Sequence, residues 1–217
     1  MAVIKRLFGS FRSARQSGKK DERKEHPSIH WVVAGLGNPG AEYARSRHNA
    51  GFMTVDRLAR RAGVEIGRRR FKGITGEITL AEKPAIVVKP QTFYNLSGEC
   101  VSDLLGYFKV PAERLIVVHD EMDIEAGRLR IKQGGGDAGN RGVRGIAEAL
   151  GTVEFLRVRI GVGRPPESDE SKAYLLRPMS AAELENFAST VDRAANAVEA
   201  IAALGLEPAM NRFNQRP

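Results

Sequence analysis

The chain has 217 residues, a formal charge of +8 and a single cysteine, Cys100. That length suits one large domain whose core needs no covalent staples, and a lone thiol excludes an internal disulfide and offers no thiolate metal site. No apolar run approaches the roughly 20 residues of a membrane helix.

The charge is uneven. Residues 1–27 hold eight Lys or Arg against three Asp or Glu, and the other 190 residues carry a net charge of only +3. We read 1–27 as a flexible basic arm, without the continuous apolar stretch of a secretory signal. It has the composition of a mitochondrial presequence or of a tail with non-specific RNA affinity. The single cysteine suits a reducing, cytoplasmic setting. Residues 28–217 are read as one α/β domain, a mixed, mostly parallel twisted sheet flanked by helices, because strands and helices alternate throughout.

The domain begins with a β-branched apolar run at 29–34, the pattern of a buried strand. Directly after it comes Gly35-Leu36-Gly37-Asn38-Pro39-Gly40-Ala41-Glu42-Tyr43-Ala44-Arg45-Ser46-Arg47-His48-Asn49-Ala50-Gly51. This run puts an amide, a phenol and an imidazole at the end of a buried strand, where α/β proteins keep their chemistry. Gly35, Gly37 and Gly40 match a dinucleotide fingerprint, but Pro39 interrupts it and no acid closes a second strand about 20 residues on. A nicotinamide-dependent oxidoreductase is therefore disfavoured. Taken alone, His48 is either a packing histidine or a general base; its polar neighbours Arg47 and Asn49 favour the second.

Phe52, Val55, Leu58 and Ala62 repeat at helical spacing up to Gly63. Residues 73–80 and 85–89 read as paired strands about a turn at 82–84. Thr92-Phe93-Tyr94-Asn95-Leu96-Ser97-Gly98 precedes a helix with Val101, Leu104, Leu105 and Phe108 on one face; Asn95 or Ser97 would serve as its cap. Residues 115–118 form a buried strand that ends in His119-Asp120-Glu121-Met122-Asp123. Consecutive strand residues point to opposite faces, so these acids do not converge as metal ligands, and one carboxylate is better used to orient an imidazole. After a short strand at 129–132, the loop 134–140 is rich in glycine and leads into a helix at 141–150, a place that can receive a phosphate or oxyanion. Residues 155–162 alternate apolar and basic, which predicts a strand with one wet, positive face. Ser180 and Glu183 form a capping box for a long final helix whose stripe runs Leu184, Phe187, Val191, Val198 and Ile201 to Gly205.

Five ordered blocks then resemble the bacterial-type peptidyl-tRNA hydrolase family. They are 35–51 with its Asn38, Tyr43 and His48; Lys89-Pro90-x-Thr92-Phe93-x-Asn95-x-Ser97-Gly98; His119-Asp120-Glu121-x-Asp123; the triple glycine with Leu156-Arg157-Val158-Arg159-Ile160-Gly161-Val162-Gly163-Arg164-Pro165; and Ala209-Met210-Asn211. The resemblance implies hydrolysis of the ester between peptide and tRNA by a water that His48 deprotonates, with Asp120 orienting His48. It implies that Asn38 and Asn95 hold water, oxyanion and peptide, each such donor being worth about 3 kcal/mol. Tyr43 and Tyr94 would line the cleft, and Lys132 and Arg159 would clamp the tRNA 5′ phosphate. No metal or cofactor is implied, and a monomer is expected. The chain departs from the family at Asn140-Arg141, where His-Asn is usual, and at Tyr94, where Met is common. Asn140 still donates a hydrogen bond, and Arg141 is a further candidate phosphate contact. The runner-up reading is a non-catalytic RNA-binding protein of the same fold, similar to splicing cofactors that resemble this family.

Overall fold

The computed structural model describes residues 28–165 and 171–215. The readings made for 1–27 lie outside them.

The first strand, β1 (Trp31–Gly35), is buried along its whole length. Its side chains alternate between two cores: Trp31 and Val33 on one side, Val32 and Ala34 on the other. A strand covered on both faces has no wet side to encode, hence its unbroken apolar run. Beside it lie β4 (Lys83–Pro90), β5 (Leu115–Glu121) and, next to β5, β7 (Leu156–Gly161), all parallel. Antiparallel strands finish the sheet: β3 (Gly73–Leu80) on β4, β2 (Arg68–Arg70) outside it, and β6 (Leu129–Gln133) on β7. The order is β2-β3-β4-β1-β5-β7-β6, so the sheet is mixed, with its parallel pairings gathered in the middle.

Helix α1 (Ala50–Arg61) packs with α5 (Ala181–Leu204) and α6 (Leu206–Phe213) on one face, while α2 (Ser97–Phe108) and α3 (Arg141–Leu150) cover the other. The chain leaves β1 through α1 toward β2–β4, then crosses β1 through α2 to reach β5. The connections that leave β1 and its neighbour β4 take opposite faces, which opens a crevice beyond the carboxyl ends of those strands, next to the end of β5.

Most predicted elements stand where the periodicity placed them, with three instructive differences. The β3–β4 turn is Ala81–Glu82, both with positive φ (46° and 62°), the twist a two-residue hairpin requires. Strand β2 and helices α4 (Ser171–Leu176) and α6 carried too little periodicity to be read. β2 is three arginines on a sheet edge, where charge discourages pairing with another chain. The edge of β6 is closed from α6's end: the Asn214 amide accepts from Ile131 N–H at 2.6 Å and donates to Ile131 C=O at 2.9 Å. The third difference is on β7, whose basic face is not wet: Arg157 is only 1% exposed.

One contact fixes how α1 meets the sheet. A Cβ on Gly51 would lie 2.3 Å from both Leu36 N and Val118 O, and one on Gly35 would lie 2.2 Å from Gly51 O. Backbone therefore packs on backbone at the start of α1. Gly51→Ala should lower unfolding free energy by about 2 kcal/mol or more in urea titration. Gly67→Ala, at a glycine whose Cβ would meet nothing within 4 Å, should stay within about 0.5 kcal/mol of wild type.

Candidate active site

The close approach at Gly51 sets the turn that precedes α1 against the end of β5. His48 lies in that turn (Arg47–Asn49). Its Nδ1 is 3.0 Å from each oxygen of Asp120, which is 3% exposed. An ionised carboxylate can only accept, so Nδ1 carries the proton and donates it, leaving the Nε2 lone pair free in the neutral ring. Tyr94 completes the pair: its hydroxyl donates to Asp120 Oδ1 at 3.1 Å, and its ring stacks on His48 with centroids 3.8 Å apart. Burial would raise the Asp120 pKa, but the His48 charge and hydrogen bond, helped by His119 and Tyr94, outweigh it and hold the carboxyl below its usual value.

Asn49, which the sequence reading used only as a flank, clamps the opposite lip. Its Oδ1 accepts from Asn38 N–H at 2.8 Å and its Nδ2 donates to Asn38 C=O at 3.0 Å. The Asn38 backbone is thus held by the residue next to His48, and its own amide is free among the described residues. Asn95 is exposed in the turn Tyr94–Leu96 that leads into α2, and its amide too has no partner among the described residues. Tyr43 is half-buried in the turn Ala41–Tyr43. Phe93, unremarked as a site residue in the sequence, is 78% exposed beside Asn95. Exposure of a large aromatic ring is not encoded in local pattern, so the sequence carried no signal for it.

The acids after β5 do not gather. Asp120 serves His48, Glu121 pairs with Arg159 at 3.0 Å, and Asp123 pairs with Arg164 at 2.6 Å.

The glycine-rich loop differs from the expected phosphate cradle. Arg157 donates to the carbonyls of Gly134, Gly135 and Gly136, which pins the loop over β7 from beneath. The start of α3 is occupied as well: Asn140 Oδ1 accepts from Gly142 and Val143 N–H at 3.1 and 3.0 Å. Its Nδ2 donates to the Tyr94 hydroxyl at 3.0 Å, so Asn140 is turned inward toward the His48–Asp120 pair. Arg141 is exposed one residue further on.

Lys132, Arg157 and Arg159 share one face of β6 and β7, with Lys132 opposite Arg157 in the register. Burial, then the neighbouring guanidiniums, hold the Lys132 pKa below its ordinary value. Glu121 is their close acid, and it engages Arg159. Arg130, opposite Arg159 in the register, lies on the same face, and four cations with one carboxylate leave an excess of positive charge that an anion would relieve.

A polarised imidazole–carboxylate pair, with two unpartnered amides nearby at the carboxyl ends of the parallel strands of a mixed sheet, is an arrangement able to move a proton. Similarity gives the family. Residues 32–217 match the family model described as "Peptidyl-tRNA hydrolase". Proteins of that name from Frankia alni and Geotalea daltonii are 47% and 43% identical over 184 and 185 residues, in each case 85% of this chain and 93% and 96% of the relative. The crystal structure of peptidyl-tRNA hydrolase from Acinetobacter baumannii superposes with a TM-score of 0.78 at 34% identity, covering 87% of this chain and 96% of that one. The chain belongs to the peptidyl-tRNA hydrolase family.

His119 is the other imidazole of the region. It is fully buried, its Nδ1 donates to Asp120 C=O at 2.8 Å and its Nε2 has no partner among the described residues. Burial pushes its pKa down to about 4. Between pH 6.5 and about 4 the unfolded chain takes a proton that the folded one refuses, so stability falls as pH drops through that window. The loss should reach about 3 kcal/mol. Urea titrations from pH 7 to 4 should show it, and His119→Gln should flatten that part of the slope.

Proposed function

We propose that this protein hydrolyses the ester joining a peptide to the 3′ ribose of tRNA, with His48 as the general base. Nε2 takes a proton from water as the oxygen attacks the ester carbonyl. The ester C–O bond then breaks as the leaving 3′ oxygen takes that proton from Nε2, giving a tRNA 3′ hydroxyl, a peptide carboxylic acid that ionises in water, and neutral His48 again. Asp120 keeps Nδ1 protonated and stabilises the imidazolium formed when the proton arrives. Asn38 and Asn95 supply amide donors for the oxyanion and the peptide backbone, and Tyr43 and Phe93 give the cleft aromatic walls. The His48–Asp120 contact, in a chain of this family, is the observation that carries the reading. No step in it calls for a metal or cofactor.

The anion-hungry face is our candidate for the tRNA 5′ phosphate. Lys132 is its strongest member, because Arg157 is committed to the loop and Arg159 to Glu121. Arg159 and the exposed Arg141 add to it. We read the protein as a monomer working in the cytoplasm, where peptidyl-tRNA arises; none of its described helices is long and apolar enough to cross a membrane. A non-catalytic RNA-binding role finds no support in relatives named as hydrolases or in an intact imidazole–acid pair.

His48→Ala should lower kcat on a defined peptidyl-tRNA by about 10²–10⁴-fold, while deacylated tRNA still binds. Turnover close to wild type would remove His48 as the base. Lys132→Ala should raise KM about tenfold at low salt with kcat little changed, and reduce the slope of log KM against log salt by about one. An unchanged slope would remove Lys132 from the phosphate contact.

A further inference from the structure

Tyr94, from the turn before α2, and Asn140, from the start of α3, touch each other, and the contact has a direction. The Asn140 amide is oriented by α3, since its Oδ1 already accepts two backbone N–H groups. Only Nδ2 remains to face the Tyr94 hydroxyl, 3.0 Å away. The hydroxyl accepts there, so its single proton goes to Asp120 Oδ1 at 3.1 Å. Asp120 in turn accepts from His48 Nδ1. Asn140 Nδ2 also lies 3.4 Å from Asp120 C=O and 3.3 Å from His119 Nδ1, but its contact with the Tyr94 hydroxyl is the shortest, and from Tyr94 through Asp120 to His48 the direction of donation is fixed.

We propose that Tyr94 and Asn140 are a coupled pair of positioning residues that tune how strongly Asp120 draws on His48, and so set the pH range in which His48 can accept a proton. This rests on the reading of His48 as the base. A hydroxyl donated to a carboxylate spreads its negative charge and weakens its hold on a neighbouring cation. Meanwhile the Tyr94 ring, stacked within 18° of the imidazole plane, keeps His48 from turning away from Asp120. Tyr94 keeps its own proton: burial and the Asp120 charge raise its pKa well above the usual value for tyrosine. Asn140 strengthens the donation, because a hydroxyl that accepts a hydrogen bond becomes a better donor.

The other charged groups around the pair are accounted for. His119 and Glu121 flank Asp120 on β5; His119 is neutral near pH 7, and Glu121 is paired with Arg159. Arg157 is engaged by the loop carbonyls. Arg47, next to His48, is paired with Glu183 and lies over the Tyr174 ring of α4. Tyr94 is the side chain besides His48 that donates to the Asp120 carboxylate among the described residues.

The test is an NMR titration of His48 in protein labelled at the histidine Cε1, run on the full chain, Tyr94→Phe, Asn140→Ser and the double variant. Phe keeps the stacked ring and Ser keeps a helix cap, so both changes spare the packing. Tyr94→Phe should move the His48 midpoint upward by about half a unit to one unit, a three- to tenfold gain in proton affinity. Asn140→Ser should move it the same way by less, and should add nothing in the Tyr94→Phe background. The acid limb of kcat/KM for peptidyl-tRNA hydrolysis should shift in step. An unchanged midpoint in folded Tyr94→Phe overturns the proposal, even if activity falls. Should Tyr94→Phe not fold, the Asn140→Ser midpoint decides, and no upward shift there overturns it. Additive shifts in the double variant overturn the coupling. A midpoint that moves while hydrolysis ignores it leaves the pair standing and refutes His48 as the base.

Discussion

The site depends on one buried anion. Asp120 is a carboxylate with 3% exposure at the end of a central strand, and a charge there is tolerable only if donors surround it. His48 and Tyr94 supply those donors from opposite sides of the sheet. The demand for compensation runs both ways. Asp120 needs the two donors to stay ionised, and His48 needs Asp120 to fix which nitrogen carries its proton. The same contacts that make the anion bearable fix the orientation and tautomer of the His48 ring.

The topology explains why those donors can arrive from different parts of the chain. β1 and β5 are neighbours, yet the helices entering and leaving them lie on opposite faces. The turn before α1 brings His48 and Asn49 from one face, while the turns before α2 and α3 bring Tyr94, Asn95 and Asn140 from the other. Asp120 stands between them. The glycine contact between Gly35 and Gly51 removes the side chains that would hold α1 away from this edge.

The basic residues of β6 and β7 illustrate how identical chemistry is divided by burial. Arg157 is interior scaffolding that satisfies three loop carbonyls, and a lysine could not fork across them in the same way. Arg159, two residues on, keeps partial exposure and an acid partner. Lys132, opposite Arg157, is the cation of the three that is left for an outside anion. The alternation that suggested a wet strand was real, but the loop that folds back over it takes Arg157 out of water and leaves Arg159 partly exposed.

Much of this was legible in the residues themselves. Unbroken β-branched runs announced the central strands because both their faces are covered, and the capping box at Ser180 and Glu183 announced α5 because it satisfies local backbone groups. The residues also singled out His48 and Asp120, an imidazole and a carboxylate near the ends of buried strands, and the fold sets these two 3.0 Å apart. What local pattern could not carry was partnership across the sheet. That Asn140 turns inward to Tyr94, that Asn49 grips Asn38, that Phe93 stands in water and that Arg157 lies beneath a loop all follow from segments distant in sequence meeting at one edge. Periodicity encodes which face of an element is buried; what lies against that face is decided only when the chain closes on itself.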